Sequence, residues 1–199
     1  YKSYSMQNIG RQGEMIGKLI RYFISFCYCC FLKLKYRQKL IINPFKVYIS
    51  ILSEIKITGT GKVQIDSSKG RVYISPYSSI VSSGGNIYIG SGVFFNKNVN
   101  VVSHDNIYIG ENCLFGHNIC CFDSDHRYND LSKDIRYQGY AKSPVRIERN
   151  VWICAGVMIT KGTIIGENSV IAGNSVARGS LRQNSIYAGI PCKFIKEIS

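Results

Sequence analysis

A hydrophobic residue recurs at every sixth position in the C-terminal third of the chain. The series consists of Ile147, Ile153, Ile159, Ile165, Ile171 and Ala177. Four residues after each member stands a small or branched residue, in the order Val151, Val157, Thr163, Ser169, Ser175 and Leu181. A period of six matches neither the 3.6 residues of an amphipathic helix nor the alternation of an ordinary strand. Short strands joined by tight turns explain it, with two inward positions in each hexad.

Three hexads, or 18 residues, would form one triangular coil, so that residues three hexads apart stack on each other. The predicted pairs are Ile147 with Ile165, Ile153 with Ile171, and Ile159 with Ala177. Glycines near the predicted corners suit the tight turns. They are Gly162, Gly166, Gly173 and Gly179. Because such a solenoid buries its core only by stacking coils, earlier sequence must supply more of them.

Earlier coils are visible with a less regular period. One set of three inward residues consists of Ile89, Phe95 and Val101, and the next consists of Ile109, Phe115 and Cys121. The second set is two residues later than the 18-residue period requires, and we expect those two extra residues to bulge at a corner. Ile74 and Ile80, and before them Ile57 and Val63, extend the pattern back toward residue 47. We therefore predict an all-β main domain at 47–199, preceded by an N-terminal extension at 1–46.

The period is interrupted once, between Cys121 and Ile147. The intervening sequence FDSDHRYNDLSKDIRYQGYAKSPVR is polar, aromatic and rich in residues that form turns. It predicts a loop at about 123–146 that protrudes from the solenoid. Long excursions from a rigid repeat scaffold commonly carry function.

The N-terminal extension is predicted to be mostly helical from Met15 to Lys39. Basic residues flank an apolar centre at 23–32, which Lys33 bounds at roughly 10 residues, against the ~20 that a membrane-spanning helix needs. We therefore predict no transmembrane segment. Either the helix packs across the open end of the solenoid, or it lies as an amphipathic anchor on an anionic bilayer. We favour the first alternative.

The formal net charge of +13 suits several partners, among them nucleic acid, an anionic membrane, an acidic glycan and a phosphorylated cofactor. No nucleic-acid-binding module is recognisable, so we predict no nucleic-acid partner. The eight cysteines include adjacent pairs and lack the spacing of a zinc site. We expect reduced thiols, no metal, and a cytoplasmic protein that contacts the inner membrane face if the helix is an anchor.

Three segments occur in a fixed order: DSDHR, then RNVWICAGVMITKGTIIGENSVIAGNSV, then YAGIPCK. With the hexads and the excursion, they make the chain resemble the hexapeptide-repeat acyltransferases over roughly residues 55–196. The closest likeness is to the sugar and polysaccharide O-acetyltransferases. The resemblance implies a left-handed parallel β-helix that assembles as a homotrimer. It also implies transfer of an acetyl group from acetyl-CoA to a hydroxyl of a sugar or surface polysaccharide, such as capsule, O-antigen or exopolysaccharide.

The family's general base is a histidine at the start of the excursion, and His126 occupies that position here. Imidazole suits the removal of a proton from a sugar hydroxyl that attacks a thioester. Either Asp123 or Asp125 is expected to accept a hydrogen bond from the second ring nitrogen and so orient the ring. His104 and His117 are expected to face solvent, although His117, in the preceding coil, is the second candidate for the base.

Trp152 is predicted to point out of the coil. There it either forms a wall of the cleft, donates its indole N–H to the developing oxyanion, or only packs under the excursion. For the donor, the resemblance implies a groove between neighbouring solenoids that binds pantetheine through backbone groups. The expected contacts are Gly156, Ala172 and Gly173, with Arg178 and Lys193 at the phosphates; each of the two cations is equally compatible with a solvated surface charge.

Two other functions are consistent with the sequence. One is transfer to an amino group, as on an amino sugar nucleotide, or to serine, and the other is a non-catalytic β-helix that acts as an assembly scaffold. A shared zinc site is not predicted, because it needs three well-placed histidines and the three here are scattered over turn, coil and loop. The acceptor and the position acylated are not encoded in any motif.

Overall fold

The computed structural model describes the backbone of residues 2–198 and the side chains of residues 15–198. Its main body is a solenoid of short strands that form three sheets, and each full coil contributes one strand to each sheet. We call these sheets the first, second and third face. Within each face, consecutive coils pair in parallel.

The first face contains β1 (Leu40–Ile41), β4 (Lys62–Ile65), β7 (Asn86–Ile89), β10 (Asn106–Ile109), β15 (Val145–Ile147), β18 (Ile164–Ile165) and β21 (Ser180–Leu181). The second face contains β2 (Val47–Ile49), β5 (Val72–Ile74), β8 (Phe94–Phe95), β11 (Leu114–Phe115), β16 (Trp152–Ile153), β19 (Val170–Ile171), β22 (Ser185–Gly189) and the antiparallel β23 (Cys192–Glu197). The third face contains β3 (Glu54–Thr58), β6 (Ser79–Ser83), β9 (Val99–Ser103), β12 (Ile119–Phe122), β17 (Met158–Ile159) and β20 (Val176–Ala177).

The predicted stacking is confirmed in register. The pairs in the C-terminal third are Ile147 with Ile165, Ile153 with Ile171, and Ile159 with Ala177. The two earlier sets also align, as Ile89 with Ile109, Phe95 with Phe115, and Val101 with Cys121. All of these side chains are fully buried. The fold is therefore the predicted left-handed parallel β-helix.

The earlier residues Ile57, Val63, Ile74 and Ile80 are all buried, as predicted. In the first coils, β3 and β4 are long enough to turn two residues inward each. Ile80 aligns with Ile55, and Ile89 aligns with Ile65. The solenoid also begins at Leu40, ahead of the expected boundary at 47.

The second inward set is buried throughout: Val151, Val157, Thr163, Ser169, Ser175 and Leu181. Its polar members are satisfied by the backbone at the corners. The Thr163 hydroxyl donates to the Thr160 carbonyl at 2.7 Å, and the Ser169 hydroxyl donates to the Arg182 carbonyl at 3.0 Å. A small hydroxyl residue therefore fills the corner of the core without leaving a buried polar atom unpaired.

Asparagine forms many of the corners, in addition to the glycines expected there. Seven asparagines adopt the left-handed backbone conformation, which asparagine tolerates better than most residues: Asn98, Asn112, Asn118, Asn150, Asn168, Asn174 and Asn184. Three of them form a ladder of side-chain amides, in which Asn150 donates to Asn168 at 2.8 Å and Asn168 donates to Asn184 at 2.9 Å. This ladder links successive coils at one corner.

The N-terminal segment is helical, as predicted. The helix α1 (Lys2–Tyr36) leads through a 3₁₀ turn (Arg37–Lys39) into β1 and covers the free edge of the first coil. The Ser25 hydroxyl accepts the amide hydrogen of Ile49 at 2.8 Å, and the Tyr36 hydroxyl donates to the Ile55 carbonyl at 3.0 Å. The helix therefore caps an edge whose backbone groups would otherwise be open to pairing with another strand.

One expectation about this helix needs correction. The stretch Met15–Lys39 is long and apolar enough to cross a membrane by length and composition, although we predicted that it is too short. The sequence estimate counted only the charge-free run, whereas the helix tolerates cations at its borders. One side of the helix is nevertheless committed to the solenoid, because Cys29 and Leu32 are buried there.

Candidate active site

The excursion is an arm built on a short hairpin, which we define as residues 123–144. Its strands β13 (Ser124–His126) and β14 (Tyr140–Lys142) pair antiparallel, and a 3₁₀ turn (Ile135–Tyr137) lies between them. The amide of Ser143 donates to the Asp123 carbonyl at 2.9 Å and closes the base of the arm. The sequence predicted the excursion but not its strands, since the pairing depends on register across a long connection.

Three aromatic rings stack at the base of the arm. The Tyr140 ring lies between two imidazoles, 4.5 Å from the centroid of His126 and 4.4 Å from that of His104. The His104 Nδ1 atom is 2.9 Å from the Ser124 hydroxyl. His104 is therefore half-buried in the site, although we had expected it to face solvent. Neither ring contact was foreseen from the sequence, although Ser124 lies one coil beyond His104 at the same corner.

Asp123 is fully buried and holds the corner that carries His104. Its carboxylate accepts hydrogen bonds from the Ser103 hydroxyl at 2.6 Å, the His104 amide at 2.7 Å and the Asp105 amide at 2.9 Å. Three donors on one carboxylate lock the turn between β9 and β10. The structure thus places Asp123 under the stacked rings as a support for His104.

Asp125 turns away from the histidine. It is exposed and forms an ion pair with Lys161 at 2.8 Å. Asp125 and His126 line the same cavity, but the carboxylate of Asp125 pairs with Lys161 and not with the imidazole. Within the described part of the chain, neither Asp123 nor Asp125 accepts a hydrogen bond from the His126 ring, contrary to expectation. Packing on Tyr140 positions that ring instead.

A cavity of about 590 Å³ opens between the arm and the Lys161 corner. Its lining combines charged, amide and aromatic groups: Asp125, His126, Arg127, Tyr128, Asn129, Asp130, Lys133, Tyr137, Gln138, Ala141 and Lys161. Aromatic faces and hydrogen-bonding side chains around one exposed imidazole suit a polyhydroxylated ligand better than an apolar one. In residues 15–198, no cluster of three His, Cys, Asp or Glu side chains is arranged to hold a metal ion.

The three backbone positions predicted for pantetheine lie together, but at a different corner. Gly156 and Ala172–Gly173 follow β16 and β19, where the second face turns into the third. The Gly156 amide donates to the His117 carbonyl at 2.8 Å, so the exposed His117 also belongs to this corner and lies outside the cavity. His126 lies beyond the corner where the third face turns into the first. One protomer therefore does not bring these groups together with His126.

The remaining predicted residues lie on the outer surface. Arg178 is exposed after β20, and Lys193 is exposed in β23. Trp152 points outward from the second face and is 48% exposed, as the repeat predicted. It is not among the residues that line the cavity around His126.

The sequence matches one family model, that of the bacterial transferase hexapeptide with six repeats, over residues 144–179. A probable acetyltransferase of Mycobacterium tuberculosis is 34% identical over 74 residues. That match covers 37% of this chain and 25% of the relative, so the chain spans a quarter of that protein's length.

Several solved structures share the fold. A hexapeptide-repeat acetyltransferase of Vibrio cholerae, solved with acetyl-CoA, superposes with a TM-score of 0.59 at 27% identity, over 65% of this chain and 69% of that one. A galactoside acetyltransferase in complex with coenzyme A gives 0.54 at 30% identity, over 69% and 64% of the two chains. A variant of an N-acyltransferase from Bacillus cereus gives 0.65 at 19% identity, over 84% and 88%, which establishes likeness of fold alone.

Proposed function

We propose that this chain, as a hexapeptide-repeat acyltransferase with a left-handed β-helix, uses acetyl-CoA as its donor. It transfers the acetyl group to a hydroxyl of a sugar or surface polysaccharide. The observation that carries the proposal is the exposed imidazole of His126, packed on Tyr140 at the wall of a polar cavity. The donor is supported by the Vibrio cholerae and galactoside acetyltransferase structures, which were solved with acetyl-CoA and coenzyme A.

In this mechanism neutral His126 takes the proton of the acceptor hydroxyl as the oxygen attacks the thioester carbonyl carbon. A tetrahedral intermediate forms and collapses, which breaks the carbon–sulfur bond. The leaving thiolate of coenzyme A takes the proton back from the imidazolium. The products are an acetyl ester and the free thiol, and the base returns to its neutral form without a covalent enzyme intermediate.

The acceptor would occupy the cavity of the arm. Tyr128 and Tyr137 offer aromatic faces to a sugar ring, while Arg127 and Lys161 offer hydrogen-bond donors. Packing of His126 on Tyr140 holds the base at the cavity wall before the acceptor arrives.

The donor site requires a second chain, and we propose a homotrimer. The pantetheine corner of one protomer, at Gly156, Ala172 and Gly173, is separated from its own His126 by the third face. A neighbouring solenoid would supply the missing half of the groove. Arg178 and Lys193 are exposed at one end of the solenoid and would meet the phosphates.

The outer side of the second face supports this assembly. It carries a ladder of aromatic rings, with Tyr48 and Tyr73 centred 6.1 Å apart and Tyr73 and Phe94 6.0 Å apart. Leu114 and Trp152 continue the row on the following coils and are substantially exposed. A continuous apolar row on the surface of one chain is typical of a subunit interface.

The test is thiol release from acetyl-CoA with a panel of sugars, nucleotide sugars, amino sugars and glycans. His126→Ala should lower kcat by about 10²–10⁴ and leave affinity for coenzyme A close to unchanged. The comparison variant is His117→Ala, which removes the other exposed imidazole, outside the cavity, and should lose much less turnover than His126→Ala. A His126→Ala enzyme with more than about a tenth of wild-type kcat contradicts the assignment. Transfer to amines alone would favour N-acetylation, and no turnover with any acceptor would favour a scaffold.

A further inference from the structure

The helix α1 presents two different apolar surfaces on opposite sides. One side, at Ser25, Cys29 and Leu32, is buried against the solenoid. The opposite side carries an apolar row that we call the outer stripe: Ile16, Leu19, Ile20, Phe23, Ile24, Phe31 and Leu34, which are between 39% and 78% exposed. Residues at intervals of three, four and seven lie on one helical face, so this stripe is continuous over about five turns. The solenoid needs none of it for its own core.

The charge around the stripe has one sign. From residue 15 to residue 39 the sequence contains no Asp or Glu, and six cations accompany the stripe: Lys18, Arg21, Lys33, Lys35, Arg37 and Lys39. At 100° per residue, Arg21, Lys33 and Lys35 fall on the borders between the outer stripe and the packed side. An apolar stripe with cations on its borders is the pattern of helices that lie in the plane of a membrane interface.

Further apolar groups extend this surface beside the helix. The exposed Phe45 packs against Phe26, with ring centroids 4.8 Å apart. The exposed Ile51 and Leu52 precede Ser53, whose carbonyl accepts the Tyr28 hydroxyl at 2.9 Å. Phe45, Ile51 and Leu52 therefore enlarge the exposed apolar surface at the capped end of the solenoid.

The packing and the charges argue against two other arrangements. If α1 crossed a bilayer, its buried side would leave the solenoid and the Ile49 amide would lose the Ser25 hydroxyl. If two copies paired through their stripes, the cations on the borders would face the same cations of the partner. An anionic lipid surface avoids both problems. Its acyl region can bury the outer stripe while α1 stays packed on the solenoid, and its headgroups neutralise the cations.

We propose that the outer stripe docks the protein on an anionic bilayer, with α1 parallel to the surface and its lysines and arginines among the lipid headgroups. The solenoid then stands on the membrane by its capped end. This inference uses a surface remote from the cavity, so it stands or falls independently of the acetyltransferase proposal.

The experiment is co-sedimentation of the full chain with vesicles of phosphatidylcholine alone or mixed with phosphatidylglycerol. We expect binding to the anionic vesicles, little binding to the neutral ones, and loss of binding as salt is raised to about 0.5 M. Lys33→Gln with Lys35→Gln should weaken binding roughly 30-fold, since each cation near an anionic surface contributes about 1 kcal/mol. Ile20→Ser with Phe23→Ser should remove most of the binding.

The matched control is Leu131→Ser, which removes an apolar side chain that is 99% exposed on the arm and should leave vesicle binding unchanged. Exposed Cys27 lies within the outer stripe, so anionic vesicles should protect it from a soluble maleimide. Circular dichroism checks that each variant is folded. Equal binding to both kinds of vesicle, or full binding by the Ile20 and Phe23 variant, overturns the proposal. A third outcome would also overturn it. The protein would not bind vesicles, and light scattering would show a larger assembly that the Ile20 and Phe23 variant loses.

Discussion

The ring of Tyr140 packs against the ring of His126 because the two residues face each other directly across the hairpin of the arm. We expect Tyr140→Ala to lower kcat by up to about tenfold, since a lost ring–ring contact is worth about 0.5–1.5 kcal/mol and leaves the imidazole free to rotate. Tyr140→Phe keeps the ring and should restore turnover. Steady-state thiol release measures both, with an unchanged KM for acetyl-CoA expected. Equal losses in the two variants would mean that the hydroxyl acts, and not the ring.

The two aspartates before His126 should respond differently to the same substitution. Asp123→Asn places an amide where three donors converge, and we expect the free energy of unfolding to fall by about 2–3 kcal/mol. Asp125→Asn removes only a solvent-exposed ion pair with Lys161, which is worth less than about 1 kcal/mol. Urea denaturation followed by circular dichroism compares the pair. Similar costs for both variants would contradict the structural role assigned to Asp123.

Assembly should depend on the outer row of the second face. Light scattering of the wild-type protein should report about three chains, and Leu114→Glu should yield monomers by placing a charge within an apolar contact. The matched control, Leu131→Glu, adds the same charge to an exposed residue of the arm and should remain trimeric. A Leu114→Glu trimer, or a monomer that turns over acetyl-CoA at the wild-type rate, contradicts the proposed interface.

The cysteines should differ widely in reactivity although all eight are free thiols. Burial raises the pKa of the Cys29 and Cys113 thiols to about 11 each, so only about a thousandth of either is thiolate at pH 8. Iodoacetamide followed by mass spectrometry should therefore modify exposed Cys27 first. The two buried thiols should react only as the pH approaches about 11 or when urea unfolds the chain. Rapid alkylation of Cys113 at pH 8 would show that its coil opens.

Much of the solenoid was predictable because its core repeats. Each inward residue meets the same environment as the residue one coil away, so a period in the sequence translates directly into a period in space. The pattern named only one inward residue on each of two strands that carry two, Ile57 where Ile55 is also inward and Val63 where Ile65 is also inward. Corner asparagines were missed because their tolerance of the left-handed conformation gives no hydrophobic signal.

The candidate site was predictable only in part, since non-repeating contacts build it. His126 carried a motif, but its contact with Tyr140 depends on how a long connection folds back on itself. His104 was expected to face solvent because its place in a turn said nothing of the hairpin above it. The functions of Asp123 and Asp125 were indistinguishable in sequence, and only burial and hydrogen-bonding partners separate them.

The arm leaves the solenoid without disturbing it, as Ile109 and Ile147 are still adjacent rungs of the first face. The side-chain amides of Asn150, Asn168 and Asn184 also link successive coils at a constant spacing. The number of coils in the solenoid can therefore change without a change in its cross-section. Duplicating one coil between the capped end and the arm would move the candidate site along the axis by about 4.8 Å and keep every inward contact. The distance between His126 and the capped end can thus be adjusted by whole coils.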